Sequence, residues 1–403
     1  MSHKVAMLFP GQGVQYVGMC KELYEESEIA RETFRQASEV LRVDLAEIFI
    51  RGRQPAENTG IHVIQPVILT ACIAYYRTFL NRFEIEPVFA AGHSLGEYSA
   101  LTAAGGIDFK AAVALVEKRE GFMNHACAGE KSVMAAIMGV SAQIIEAELS
   151  DLQGGGQVYI ANYNSLEQTV IAGIEADVDK MIERLEKKGA SAIKLNVNIA
   201  SHCPLMKEAA ACMEQELENY DFFEFHFPVM SNVTAAPHHP ERIKQNLARQ
   251  MVSSVRWVDT IKYLMKNDIE YYVEAGPGTV LKKLNGRIDA RLKKISFSIE
   301  GDRELLNVLL QKKCEEKDDL EKIKRCYTEI NCTRNLKCGR EKYEENILKP
   351  AAVIKNMYQC LLHEERQPAK EELNEAFALT NCVFQAKGLP KEECETRWNS
   401  IMS

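Results

Sequence analysis

Along the first 130 residues, short apolar runs alternate with amphipathic segments. Val5 to Phe9 reads as a strand, Glu22 to Leu41 as mostly helix, Gln65 to Leu80 as a helix, and Val88 to Ala91 as a second strand. A brief apolar run bounded by turn residues fits a strand buried on both faces. Strands of this kind separated by helices predict an α/β domain with a largely parallel sheet.

The pattern changes between residues 132 and 197. Val133 to Val140 is strand-like and Ala142 to Leu152 helical. Gly154, Gly155 and Gly156 interrupt the chain, and Val158 to Asn162 and Thr169 to Ile174 read as two strands. Asp177 to Lys188 carries Val178, Met181, Ile182 and Leu185 at helical spacing, and Ala192 to Val197 closes the segment as a strand. The order β-α-β-β-α-β is the split unit of a ferredoxin-like subdomain. The glycine triplet lacks the following Lys-Ser/Thr of a phosphate loop and reads as a flexible connection. After Ser201 the chain returns to helices and short strands, with Phe227 to Ser231 and Tyr271 to Glu274 as sheet strands ending in loops.

From residue 301 onward the sequence is helix-rich, cysteine-rich and heavily charged, as in Glu315-Glu316-Lys317-Asp318-Asp319. Leu373, Ala376, Phe377, Thr380 and Phe384 form one largely apolar helix face, ended by Gly388 and Pro390. The expected fold is therefore α/β: an α/β-hydrolase-like core with an inserted ferredoxin-like small subdomain and a C-terminal helical extension. Residues 1–131 and 198–300 form the large subdomain, 132–197 the small one, and 301–403 the extension.

Composition narrows the class. The 403 residues are 46% hydrophobic and 26% charged, ordinary for a globular protein of two or three core units. A formal net charge of -8 argues against a nucleic-acid partner. No apolar run reaches the length of a membrane span, and the short Val5 to Phe9 run flows into Pro10-Gly11-Gln12-Gly13, so a membrane segment and a signal peptide are not expected and a cytoplasmic location is. Seven of the twelve cysteines follow residue 310, at Cys314, Cys326, Cys332, Cys338, Cys360, Cys382 and Cys394. Their spacings match no zinc pattern, so reduced thiols and no metal are expected.

The chemistry centres on Gly92-His93-Ser94-Leu95-Gly96, a G-x-S-x-G turn between the apolar Val88 to Ala91 and the helix-prone Glu97 to Ala104. Such a turn is a nucleophile elbow, in which the serine hydroxyl is exposed at a bend too tight for flanking side chains. Ser94 needs a base. His93 adjoins it, but neighbours at an elbow point different ways. His202, in Ala200-Ser201-His202-Cys203-Pro204, follows the strand that closes the insertion; by position alone a lone histidine is more often structural than a base. Gln12 reads by itself as a turn residue, and Arg119 as a helix-surface arginine paired with Glu117 or Glu120.

Pro10-Gly11-Gln12-Gly13, Gly92 to Glu97, Arg119, Ser201-His202 and Glu274-Ala275-Gly276-Pro277-Gly278 stand in the order and spacing of the malonyl-CoA:acyl carrier protein transacylases. The resemblance covers residues 3 to 300, and the inserted β-α-β-β-α-β unit falls where that family has one. The tail, with Ala386-Lys387-Gly388-Leu389-Pro390, looks like that of stand-alone acyltransferases serving bacterial polyketide and hybrid nonribosomal peptide–polyketide assembly lines in trans.

The resemblance implies a reaction. Ser94 attacks the malonyl-CoA thioester to form an acyl-serine, and His202 acts as base and then acid. The phosphopantetheine thiol of an acyl carrier protein then takes the acyl group in a ping-pong scheme. The backbone N–H groups of Gln12 and Leu95 form the oxyanion hole. A backbone carbonyl at Gln250 orients His202 in place of the usual acid. Arg119 holds the malonyl carboxylate through its planar guanidinium. Malonyl-CoA and the carrier protein are the expected partners of a monomer with no bound cofactor.

Two positions depart from the family pattern. Val14 replaces a serine in Gly11-Gln12-Gly13-Val14-Gln15, and Arg256 stands where some members have glutamine. Two other readings keep the fold. One is an acyl hydrolase clearing stalled chains from carrier proteins with the same Ser94 and His202. The other is a catalytically idle docking protein. Arg119, which such hydrolases typically lack, argues for transfer.

Overall fold

Strands rich in Val, Ala, Met and Tyr, with no polar face, must be covered on both sides, and that dictates a layered core. The computed structural model describes residues 3–52, 62–83, 85–126, 131–151, 156–197, 199–364 and 366–402, with backbone alone for 310–318 and 340. Its strands, in chain order, are β1 Val5–Phe9, β2 Phe89–Gly92, β3 Ser132–Met138, β4 Val158–Ser165, β5 Gln168–Ile174, β6 Ser191–Lys194, β7 Val229–Met230, β8 Tyr271–Glu274 and β9 Lys293–Ser296. One sheet runs β7-β2-β1-β8-β9, and every pairing in it is parallel. The central strand β1 is buried at all five positions.

The second sheet, β4-β5-β3-β6, is antiparallel and belongs to the inserted segment. The helices Ala142–Ser150 and Glu175–Glu186 cover one face, burying Ile145, Val178, Met181 and Leu185 against Val133, Ala135, Ile137 and Ile171. The expected ferredoxin-like order is present. Gly154 and Gly155 lie outside the described residues.

Several boundaries differ from the sequence reading. The helix expected over Glu22 to Leu41 is two helices, Lys21–Glu26 and Glu28–Leu41. Ser27 between them is extended, and its side chain accepts the Ala30 N–H at 3.3 Å, an N-cap that restarts the helix. The strand expected from Phe227 to Ser231 shrinks to Val229–Met230. Pro228 has no N–H to give the ladder, although its carbonyl still accepts from Ala90. The closing strand ends at Lys194 rather than Val197. Strand β9 was not foreseen: two of its four residues are lysines, and it lies at the sheet edge where one side stays open to water.

The chain divides into two compact units, Met1–Glu304 and Leu305–Ser403. The second has its own apolar core, with Ile323, Ile330, Ile354, Val383 and Phe384 buried. In its Lys370–Lys387 helix, Ala376, Thr380 and Phe384 are fully buried, and Gly388 ends it in the left-handed conformation at φ 72°. Buried Lys387 donates to the carbonyls of Ile330 and Thr333 at 2.5 and 2.8 Å, satisfying the end of the long Glu300–Cys332 helix. Among the described residues, no helix is long and apolar enough to cross a membrane, and no cluster of His, Cys, Asp or Glu could hold a metal ion.

Candidate active site

The elbow follows from its glycines. Ser94 sits at φ 54°, a left-handed conformation unusual outside glycine. A Cβ on Gly92 would lie 1.8 Å from the Gly96 carbonyl carbon, and one on Gly96 would lie 2.0 Å from the Phe9 oxygen. Only glycine lets the strand, the turn and the Gly96–Ala103 helix approach this closely. Leu95 is the N-cap residue of that helix, so its N–H belongs to the end whose donors lack intrahelical partners. Gly11 packs on the same bend: a Cβ there would lie 2.4 Å from the His93 oxygen and 3.6 Å from Ser94 Cβ. The next residue, Gln12, is exposed in the loop after β1.

His202 comes from the loop after the inserted sheet and is also left-handed, at φ 62°. Its Nε2 lies 2.7 Å from Ser94 Oγ, and its Nδ1 lies 2.9 Å from the Gln250 carbonyl oxygen. A carbonyl can only accept, so Nδ1 carries the proton and Nε2 is free to accept from the serine hydroxyl. Gln250 is the last residue of the Ile243–Gln250 helix. Its carbonyl is one of the outward-facing acceptors of a helix C-terminus, at the negative end of the helix dipole. A helix end thus stands where other serine enzymes put a carboxylate. His93 turns away, with Nε2 2.8 Å from Asn164 Oδ1.

Burial pushes the His202 pKa down to about 3, and the Arg119 charge adds to the effect. The imidazole is therefore neutral, the form a base needs. His202 lines a cleft of about 580 Å³, together with Tyr159, Ile160, Cys203, Val252 and Ser254.

Arg119 lies on the Phe109–Ala126 helix and is only 1% exposed, so it is not the surface arginine that composition favours. It does not pair with Glu117 or Glu120. Glu117 meets Lys118, and Glu120 accepts the Gln65 backbone N–H at 2.8 Å. Arg119 Nη1 donates to Gln65 Oε1 at 2.6 Å, and Nη2 to Gln250 Oε1 at 3.1 Å and Ser94 Oγ at 3.4 Å. Its Nε has no hydrogen-bond partner, and the guanidinium lies 5.3 Å from the centre of the Tyr98 ring. Burial lowers its pKa, yet arginine stays charged in proteins. Among the described residues, every hydrogen-bond partner of this buried cation is neutral.

Beneath the elbow lies a polar network the sequence reading did not anticipate. Glu97, fully buried, accepts from Asn232 N at 3.1 Å and Gln250 Nε2 at 2.7 Å, and its other oxygen lies 2.6 Å from His238 Nε2. Asn232 Oδ1 accepts the Ser94 N–H at 2.7 Å, and its Nδ2 donates to the Gly92 carbonyl at 2.6 Å. Gln250 Nε2 also donates to the Ser94 carbonyl at 2.9 Å. These bonds hold the strained bend from below and satisfy its buried backbone groups. Val14 is buried at 8% exposure, and Arg256 pairs with Asp259.

The acyl transferase domain model matches residues 6–288. A malonyl CoA-acyl carrier protein transacylase of Bacillus subtilis strain 168 is 39% identical over 319 residues, which is 78% of this chain and 99% of that protein. This chain belongs to the malonyl CoA-acyl carrier protein transacylase family. It is an acyltransferase with the α/β fold of that family. Another transacylase of the same description, from Bacillus subtilis, is 31% identical over 404 residues, covering 97% of this chain and 98% of that protein, so its match runs through the helical unit as well. Among solved structures, a malonyl-transacylase described in complex with its type II PKS acyl-carrier protein superposes with a TM-score of 0.70. It is 36% identical and covers 74% of this chain and 97% of that one.

Proposed function

We propose that this chain transfers a malonyl group from malonyl-CoA, through an ester on Ser94, to the phosphopantetheine thiol of an acyl carrier protein. The observation that carries this reading is Arg119: a buried guanidinium whose hydrogen-bond partners among the described residues are all neutral, one nitrogen 3.4 Å from the nucleophile. A buried charge is costly unless an opposite charge joins it, and the free carboxylate of malonyl supplies one. An acetyl group supplies none, so the site favours malonyl and disfavours neutral acyl chains.

The 2.7 Å contact between Ser94 Oγ and His202 Nε2 supports the following steps. Ser94 Oγ attacks the thioester carbonyl as its proton passes to His202 Nε2. In this scheme the oxyanion is received by the backbone N–H groups of Leu95, the N-cap residue of the elbow helix, and of Gln12, in the loop after β1. The imidazolium is steadied by the Gln250 carbonyl. The C–S bond breaks, and His202 returns the proton to the departing thiolate of coenzyme A. The carrier thiol then loses its proton to His202 and attacks the ester carbonyl; the acyl C–O bond to Ser94 breaks, and His202 returns the proton to Ser94 Oγ. No bound cofactor enters these steps. The likeness to a malonyl-transacylase described with its type II PKS acyl-carrier protein supports service in trans to a polyketide or hybrid peptide–polyketide synthase.

The test is the partition of the acyl group. With malonyl-CoA and a holo carrier protein, label is expected to move onto the carrier thiol. Release as free malonate, or cleavage of acyl-carrier thioesters to free acids, identifies a hydrolase. No acylation at all identifies a docking protein. Repeating the transfer over a panel of carrier proteins with chains ending at Ser403 and at Glu304 tests whether the helical unit governs carrier choice.

A further inference from the structure

Arg119 can read a carboxylate only if its guanidinium plane is fixed, and the element that fixes one end of it is Gln65. This side chain is 1% exposed and sits in the first turn of the Ile64–Phe83 helix. The Phe109–Ala126 helix grips Gln65 at three atoms. Arg119 Nη1 donates to its Oε1 at 2.6 Å, its Nε2 donates to Met123 Sδ at 3.5 Å, and its backbone N–H donates to Glu120 Oε2 at 2.8 Å. The Arg119 cation decides which end of the amide faces it, because a flipped amide would point N–H groups at it, and Met123 Sδ receives the other end.

The third contact has a specific cause. The first N–H groups of a helix have no intrahelical acceptor. Pro66 contributes none, and Val67 donates to the Val63 carbonyl at 3.0 Å. That leaves Ile64 and Gln65, and the Glu120 carboxylate takes hydrogen bonds from both. A carboxylate at a helix N-terminus also suits the helix dipole. Glu120 is itself 7% exposed, so water does not readily substitute for it.

We propose that Glu120 is a positioning residue for malonyl recognition: by capping the Ile64–Phe83 helix it locks Gln65, and through Gln65 it sets the Arg119 guanidinium for the substrate carboxylate. The inference rests on the proposed malonyl transfer. Glu120 touches neither Ser94 nor the substrate. Its loss therefore acts on recognition of the carboxylate and leaves the serine and its base in place.

The test compares Glu120→Ala, Glu120→Asp and Glu120→Gln in the full chain. Each is assayed for malonyl-CoA-dependent loading of Ser94 and for acylation by the neutral ester p-nitrophenyl acetate. Glu120→Ala is expected to raise the KM for malonyl-CoA about tenfold, with kcat and neutral-ester acylation within about threefold. Glu120→Asp withdraws the carboxylate by one methylene and moves KM the same way, which keeps the test open if the alanine variant folds poorly. Glu120→Gln retains an acceptor for the Gln65 N–H and is expected to restore KM to within about threefold of wild type. Wild-type KM in both Ala and Asp variants, or an equal fall in malonyl and neutral-ester acylation, overturns the inference and leaves the transferase reading standing. Absence of a malonyl ester on the wild-type protein overturns both.

Discussion

Replacing Arg119 by methionine keeps most of the buried stem volume and removes the charge. In the proposed complex the two terminal nitrogens make charge-assisted hydrogen bonds to the malonyl carboxylate, each contributing about 1.5–3 kcal/mol. Losing both removes roughly 3–6 kcal/mol, a drop of about 10²–10⁴ in kcat/KM for malonyl-CoA. Acetyl-CoA has no carboxylate to lose, and the 2.7 Å Ser94–His202 contact is made directly between the two side chains. Its kcat/KM is expected to change by less than about tenfold. Two side effects on stability oppose each other. Gln65 Oε1 and Gln250 Oε1 each lose a buried donor, costing about 1–3 kcal/mol apiece, while removal of an unpaired buried charge offsets part of that loss. The assay is acylation of Ser94 by each thioester, with thermal melts as the folding control. Equal losses for malonyl and acetyl in a folded Arg119→Met protein would refute the reasoning and make Arg119 a structural residue.

The other predictions follow from the same network. His202 has a folded pKa of about 3 against an ordinary value near 6.5, so its neutral form persists well below pH 6.5 and the acid limb of Ser94 acylation lies below that pH. Arg119→Met removes one of the causes of that depression, so the limb should move to higher pH; an unmoved limb would rule out the charge as a cause. Burial raises the Glu120 pKa to about 7 from an unfolded value near 4.3, so the folded state holds this proton more tightly. Its contribution to stability is therefore present at low pH and lost as pH rises through the window from about 4.3 to 7. Denaturant titrations at pH 5 and pH 8 should show a smaller pH slope for Glu120→Gln than for wild type, and identical slopes would count against it. Asn232→Ala strips an acceptor from the Ser94 N–H and a donor from the Gly92 carbonyl. A loss of about 2–4 kcal/mol in unfolding free energy, with reduced kcat, is expected from two unsatisfied buried groups; unchanged stability would mean that water replaces the amide.

The apolar runs and the glycine spacing made the parallel sheet, the inserted subdomain and the elbow legible, because each rests on local periodicity or on a bend no side chain can enter. Ser94 was readable for that reason. His202, Gln12, Arg119 and Gln250 drew their expected roles from a family resemblance, since a long-range contact leaves no local pattern. Arg119 shows the limit well: composition favours a surface arginine, and only the tertiary fold buries it. Gln65, Glu120, Asn232 and His238 carried no signal at all. Each is a polar residue whose partner lies 55 to 141 residues away along the chain. The strand β9 was hidden for a related reason, because an edge strand can carry two lysines without disturbing the core.

The most direct test of malonyl transfer is the intact mass of the protein after brief exposure to malonyl-CoA, followed by peptide mapping and then addition of holo carrier protein. A single malonyl adduct on the Ser94 peptide, absent from Ser94→Ala and discharged onto the carrier thiol, is the predicted result. No adduct on Ser94, or an adduct that leaves only as free malonate while the carrier stays unloaded, would contradict it.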